Sequence, residues 1–299
     1  MTTTPPSDSA RGASTPDPEV DVAVPSPRRR QDGLLLIDEP ADASAIAGQV
    51  LLLPGTAGSA DELDALARRL AHHRTVLRLD LPGTGRSRAR GATVPRLDVA
   101  GTAAAIAALL EEVGAEPRVV VGHSAGGVVA LQVARLLPSV RGAVLIDANL
   151  PTDPQECRRK QERAAALERL PPDELRAAFA ASMRGSWGER DVDGPAYRQV
   201  MAGVDAAEDR VIREFWLSVL ALDSIRQWRE MDVPTVYLRS DRPVDAPALA
   251  LLTDRVRHLD LAGKAAGHWV HLVEPALVGD VVDAAVTALL EPTPPAPAD

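Results

Sequence analysis

Short apolar runs alternate along the chain with stretches of helical spacing. Residues 49–55, QVLLLPG, and 75–83, TVLRLDLPG, are apolar runs closed by Pro-Gly. Between them DELDALARRLAHH brings Leu63, Leu66, Ala67 and Leu70 to one side at helical intervals. This predicts strand, helix, strand. The unit recurs: VAGTAAAIAALLEEVG places Ile106, Leu109, Leu110 and Val113 on one face and stops at Gly114, after which RVVVG, 118–122, reads as a fully buried strand. The next predicted helix, 125–137, is apolar nearly all round before it meets Pro138, the pattern of a helix lying inside against a sheet. RGAVLIDANLP gives one more buried strand, ending at Asp147.

From about 151 to 231 the alternation stops. PQECRRKQERAAALERL, PPDELRAAFAASM and DRVIREFWLSVLAL are helical, with proline or glycine breaks, and form a helical insertion. Alternation resumes with VPTVYLR, APALALLTD and RVRHLDL. It closes with a helix whose stripe is Leu277, Val278, Val281, Val282, Ala285, Val286, Leu289 and Leu290. Strands separated by helices predict an α/β fold with a mostly parallel sheet covered on both faces. The core is expected over 33–150 and 232–290 and a helical cap over 151–231. Residues 1–32 hold six prolines in their first 30 positions and read as a disordered arm, with RRR at 28–30 as solvated linker. Residues 291–299 read as a disordered tail.

Composition narrows the class of partner. Aromatics make up only 3% of the 299 residues, so alanine, leucine and valine must build the core. A net charge of −9 disfavours nucleic acid and anionic membrane surfaces, and suits a small neutral or apolar ligand. Cys157 is the one cysteine, which excludes an intrachain disulfide, disfavours a cysteine-based zinc site and suits a reducing cytoplasm. No run approaches 18 uninterrupted apolar residues, so no membrane span is expected.

The chemistry concentrates at one serine. In a parallel sheet the reactive groups gather at the carboxyl ends of the strands. There, Gly122-His123-Ser124-Ala125-Gly126 matches the G-x-S-x-G elbow between a strand and a helix. Gly122, Gly126 and Gly127 supply the small neighbours that so sharp a turn needs. The phosphate and dinucleotide alternatives fit badly, since neither GHSAGG nor PGTAGS is G-x-G-x-x-G and no G-x-x-x-x-G-K-[ST] occurs. A serine nucleophile needs a base. His268, in AGKAAGHWVHL after the last strand, is the candidate. His271 reads as a helix-entry residue, His72 and His73 close an amphipathic helix, His123 lies inside the elbow and His258 within a strand.

The elbow, LLLPGTAG after the first buried strand, DLPGTGRS after the next, and GHWVHLVEP around the histidine together resemble the α/β-hydrolase superfamily over about residues 35–290. That resemblance implies the α/β-hydrolase fold and an oxyanion hole from the backbone N–H groups of Thr56 and Ala125, with Pro54 where many members have histidine. It also implies an acid, and here the chain departs from the common pattern: in VPTVYLRSDRPVD, Ser240 takes the usual glycine position and Pro243 the acid's. Asp147 closes a buried apolar strand, a costly place for an unpaired carboxylate. It also occupies the alternative acid position of haloalkane dehalogenase-like and cofactor-free dioxygenase-like branches. Asp147 is therefore the expected acid, with Asp241 and Asp245 as alternatives. The implied function is a serine hydrolase of carboxylic esters, thioesters or lactones with no metal or organic cofactor. The alternatives are a cofactor-independent oxygenase of hydroxylated heteroaromatics, for which IDANLPTDP is suggestive, and a non-catalytic ligand-binding member. Trp187, Phe215 and Trp216 of the insertion are candidates to line the substrate pocket.

Overall fold

Each buried strand presents its side chains alternately to two faces, and the core follows from that. In the computed structural model, which describes residues 28–32, 34–39, 49–188, 192–261 and 267–291, eight strands form one sheet: β1 (Arg28–Asp32), β2 (Leu35–Glu39), β3 (Gln49–Leu53), β4 (Thr75–Arg78), β5 (Val119–His123), β6 (Gly142–Ile146), β7 (Thr235–Arg239) and β8 (Val256–Asp260). Their order is β1-β2-β4-β3-β5-β6-β7-β8, antiparallel at β1/β2 and β2/β4 and parallel elsewhere. Leu51, Leu53, Val120, Ala143, Leu145 and Tyr237 point into one apolar layer, and Val50, Leu52, Val119, Val121, Val144, Ile146 and Val236 into the other.

Helices cover both layers. The first is packed by α3 (Val99–Glu112) and α4 (Ala125–Leu136), the second by α1 (Asp64–Leu70) and the last helix, Pro275–Leu290. A short helix, α2 (Arg88–Thr93), follows β4. Val113, counted with the buried face of α3, instead lies one residue past its end and is 39% exposed. Between β6 and β7 the chain is helical: α5 (Pro154–Glu168), α6 (Pro172–Trp187), α7 (Pro195–Ala206), a π-helical stretch Val211–Trp216 running into α8 (Leu217–Ala221), and α9 (Ser224–Arg229). These helices hold an apolar cluster of their own, around Phe179, Val204 and Trp216, that also takes in Ala57 and Trp269 from the sheet domain. Among the described residues no helix is long and apolar enough to cross a membrane.

One expected boundary moves. Residues 28–32, assigned to a disordered arm with a solvated Arg triplet, form edge strand β1 on β2. Arg29 there contacts Asp38 at 2.6 Å and Asp64 at 2.5 Å, and Asp38 also holds Arg78, a fully buried guanidinium on β4, at 2.8 Å. A polar edge strand has no apolar alternation to betray it, because charge at an edge guards against pairing with other chains. The rest of the expected arm, 1–27, and the tail from 292 lie outside the described residues.

Candidate active site

The site is assembled from three strand ends. β5 passes into α4 through Ser124, whose φ of 53° and ψ of −119° lie in a region that L residues rarely adopt. Neighbouring glycines make this possible: a Cβ on Gly122 would stand 2.2 Å from the Gly126 carbonyl oxygen, and one on Gly126 would stand 2.3 Å from that of Pro54. The Ser124 N–H donates to the Ile146 carbonyl at 2.9 Å, tying the elbow to the end of β6. Gly122→Ala is accordingly expected to destabilise the fold by several kcal/mol, about the upper range for a single substitution. A circular-dichroism melt unchanged from wild type would show that the elbow can relax.

Asp147 follows β6 with φ 46°, a conformation that aspartate tolerates better than most residues. The turn it opens is pinned from outside. Tyr237 Oη donates to the Ala148 carbonyl at 2.9 Å, Lys160 Nζ to that of Asn149 at 2.8 Å, and Trp228 Nε1 to that of Leu150 at 3.0 Å. Each of these backbone acceptors, in a turn without ladder partners, is thereby satisfied by a side chain. The carboxylate is gripped at both ends. Its Oδ1 accepts from the backbone N–H groups of Ser240, Asp241 and Arg242 at 2.7, 3.0 and 3.2 Å, and its Oδ2 lies 2.7 Å from His268 Nδ1. The loop after β7 thus supplies three donors to a carboxylate one strand away.

On the far side of the imidazole, His268 Nε2 lies 2.8 Å from Ser124 Oγ and 2.9 Å from Arg242 Nη2. A guanidinium can only donate, so Nε2 is the accepting nitrogen and Nδ1 carries the proton, which it donates to Asp147. Ser240 Oγ donates to the Gly267 carbonyl at 2.8 Å, and the His123 ring meets the His268 carbonyl through Nε2 at 2.9 Å, so the segment bearing His268 is fastened to β7 and to the elbow. Such a chain of groups can activate a hydroxyl: Nε2 is free of a proton and points at Oγ.

Burial sets the charge states. Desolvation first, then the Arg242 charge and the neighbouring His271, hold the His268 imidazole well below its ordinary value, and a cation donating to Nε2 opposes protonation there directly. Burial pushes the Asp147 carboxyl up, against the Arg242 charge and the three N–H donors that favour its ionised form. Since the neutral imidazole is the form able to take a proton, a lowered value means that this form persists below pH 6.5. For any reaction that uses His268 as base, the acid limb of kcat/KM is expected to have its midpoint below pH 6.5, with a plateau through pH 7 to 8. A midpoint above 6.5, read from a pH–rate profile, would contradict it.

A small cavity of about 30 Å³ opens over Ser124. Thr56 and Ala125 both line it, and Ala125 is the first residue of α4, where backbone N–H groups have no acceptor within the helix. Of the three aromatic lining candidates, Trp216 is at this cavity and the other two are not. Phe215 turns into the main core beside Val211 and Val219. Trp187 packs in the helical insertion against Tyr197 and Trp269 at ring separations of 5.4 and 5.6 Å. Successive residues of a helix face different ways, so adjacent aromatics could not both reach one cavity.

The alternative acids lie elsewhere. Asp241 reaches Asp147 only through its backbone N–H and its side chain is exposed, while Asp245 caps a helix by accepting from Ala248 N–H at 2.8 Å. His271 enters the short helix Val270–Val273 and is buried with its ring 4.3 Å from that of His123. Lining residues not anticipated from the sequence include Met183, Val200, Trp269, Arg242 and Glu62. Glu62 is buried: its Oε1 accepts from Ser59 N–H at 3.3 Å, while Oε2 has no partner among the described residues. Burial pushes it to about 7, against the Ser59 donor and helped by the charges of Asp80 and Asp61. The signal for Arg242 is its place in SDRPVD, the loop in which the resemblance puts a carboxylate rather than a cation. Among the described residues no group of three or more His, Cys, Asp or Glu side chains is placed to hold a metal ion.

Known proteins are similar to this chain in sequence or in fold. Over 132 residues the chain is 37% identical to lipase LipV of Mycobacterium tuberculosis, a match covering 42% of this chain and 47% of that protein. The chain therefore spans about half the length of this curated relative. Two solved structures share the fold: a hydrolase from Oleispira antarctica (TM-score 0.68, 14% identity, 85% of this chain and 94% of that one) and a thermophilic esterase from Thermogutta terrifontis (TM-score 0.59, 17% identity, 88% and 100%). The family model described as "Alpha/beta hydrolase family" matches residues 50–281, from β3 through Ser124, Asp147 and His268 into the last helix, and the chain belongs to that family.

Proposed function

We propose that the protein is a serine hydrolase of carboxylic esters, thioesters or lactones that works through an acyl-enzyme. The observation that carries this reading is the unbroken chain from Ser124 Oγ through His268 to Asp147, at 2.8 and 2.7 Å. Ser124 Oγ attacks the carbonyl carbon as its proton passes to His268 Nε2, and Asp147 holds the imidazole in the tautomer that can accept it. The oxyanion is bound by the N–H groups of Thr56 and Ala125, fixed donors worth roughly 10²- to 10³-fold each. The imidazolium then protonates the leaving alcohol or thiol. Water, deprotonated by the same imidazole, attacks the acyl-enzyme and restores Ser124. The names of LipV, a lipase, and of the Thermogutta protein, an esterase, agree with the ester-hydrolase type.

The test is a fluorophosphonate probe with mass-spectrometric mapping, alongside turnover of 4-nitrophenyl esters. Labelling of Ser124 together with ester turnover is the expected result. An unlabelled Ser124 in folded protein would sink the reading in favour of a ligand-binding role. Asp147 stands after β6, in the position that the oxygenase branch also uses. Carbon monoxide release from a hydroxyquinolone under oxygen, without ester turnover, would therefore assign the site to ring cleavage instead.

A further inference from the structure

Beside the small space over Ser124 lies a second cavity of about 400 Å³, and the two share Asn149, Met183, Trp216 and Arg242. The 30 Å³ above the hydroxyl holds little more than the reacting group, so the bulk of a substrate extends into its neighbour. That neighbour is not apolar. Glu156, Lys160 and Arg163 reach it from one face of α5, Ser182 and Ser186 from α6, and Arg242 from the loop after β7.

Among the described residues that line it, cations outnumber carboxylates. Glu156 is the one carboxylate among the described lining residues, and its Oε2 is taken by Arg159 at 2.7 and 2.9 Å. Lys160 is 8% exposed; its Nζ donates to the neutral Asn149 carbonyl, and it is pushed down to about 7, by burial first and then by the Arg242 charge. Arg242 Nε forms an ion pair with Asp147 Oδ2 at 3.8 Å, beyond hydrogen-bond reach, and has no hydrogen-bond partner among the described residues. Arg163 stands exposed at the mouth. Two cations held close in a partly dry space raise each other's energy, and an anion between them lowers both.

We propose that this cavity seats a carboxylate carried by the substrate, between Lys160, Arg163 and Arg242 with the Ser182 and Ser186 hydroxyls as further donors. Resting on the hydrolase reading, this narrows the substrate class to esters, thioesters or lactones with a carboxylate a few bonds from the scissile carbonyl, because Arg242 touches both His268 and the second cavity. A planar guanidinium beside an ammonium matches a carboxylate's two oxygens. Seating it also gives Arg242 Nη2 an acceptor other than His268 Nε2, leaving that lone pair to the Ser124 hydroxyl.

Calorimetric titration of the full-length protein with glutarate, its uncharged diamide and inorganic phosphate tests the site without ester turnover. Glutarate is expected to bind and the uncharged diamide not to. Affinity for glutarate should fall about tenfold or more in Lys160→Met and in Arg163→Gln, the loss of one charged hydrogen bond. Arg163→Gln, at the exposed mouth, carries the test independently of any folding defect in Lys160→Met. No glutarate binding, equal affinity in wild type and Arg163→Gln, or a preference for phosphate would overturn the proposal. In turnover, mono-4-nitrophenyl glutarate should exceed 4-nitrophenyl butyrate in kcat/KM by about tenfold, with the ratio collapsing in both variants. The two readings fail separately, since an unlabelled Ser124 removes the hydrolase and leaves the glutarate titration to decide the cavity.

Discussion

Ser124→Ala is expected to lower kcat for a 4-nitrophenyl ester by on the order of 10⁶-fold while leaving the thermal midpoint near that of wild type. The size follows from what remains. Without Oγ there is no acyl-enzyme, His268 can at best polarise a water, and only binding and the oxyanion donors still act. Stability should be little affected, because the positive φ at residue 124 is enforced by the glycine contacts around it and not by the hydroxyl. A loss of only about tenfold would mean that the serine is not the nucleophile.

Asp147→Asn is expected to cost about 10⁴-fold in kcat, and the structure says why the isosteric amide should fail. Three backbone N–H groups converge on Oδ1, so the amide must place its oxygen there and turn its NH₂ toward His268. Facing a donor, Nδ1 becomes the acceptor and the proton moves to Nε2, where it meets the Ser124 hydroxyl as a second donor. The imidazole is then in the wrong tautomer to accept the serine proton. Asp241→Asn retains its backbone donor and should turn over near the wild-type rate. Near-normal turnover in Asp147→Asn with the loss appearing in Asp241→Asn would instead make Asp241 the acid.

The parts of the fold that were legible share one property: their signal is local. β3, β5 and β6 are runs of apolar residues bounded by glycine, proline or aspartate, because a strand covered on both faces has no polar side to show. The elbow was legible for a similar reason, since the backbone at residue 124 demands small residues within three positions on either side. β1 was not legible. RRRQD shows no alternation, and what holds Arg29 is Asp38, nine residues on, and Asp64, brought near only by the sheet. Helical phase decided the aromatic residues: a period drawn over Val211–Trp216 cannot say which of Phe215 and Trp216 meets the cavity when the segment is π-helical and packs on two sides.

For the site itself, residue types and their order along the chain determined that a serine, a histidine and one of a few aspartates stood at the ends of parallel strands. Which aspartate met His268 was decided by the tertiary structure. The pairing of β6 with β7 brings the 240–242 backbone over Asp147, and three N–H dipoles there stabilise a buried charge that the sequence shows only as an expensive residue at a strand end. The same loop carries Arg242 to the imidazole, a contact spanning 26 residues. Chemistry that depends on side-chain type can be read from sequence, whereas a charge's partner depends on which distant backbone the sheet lays beside it.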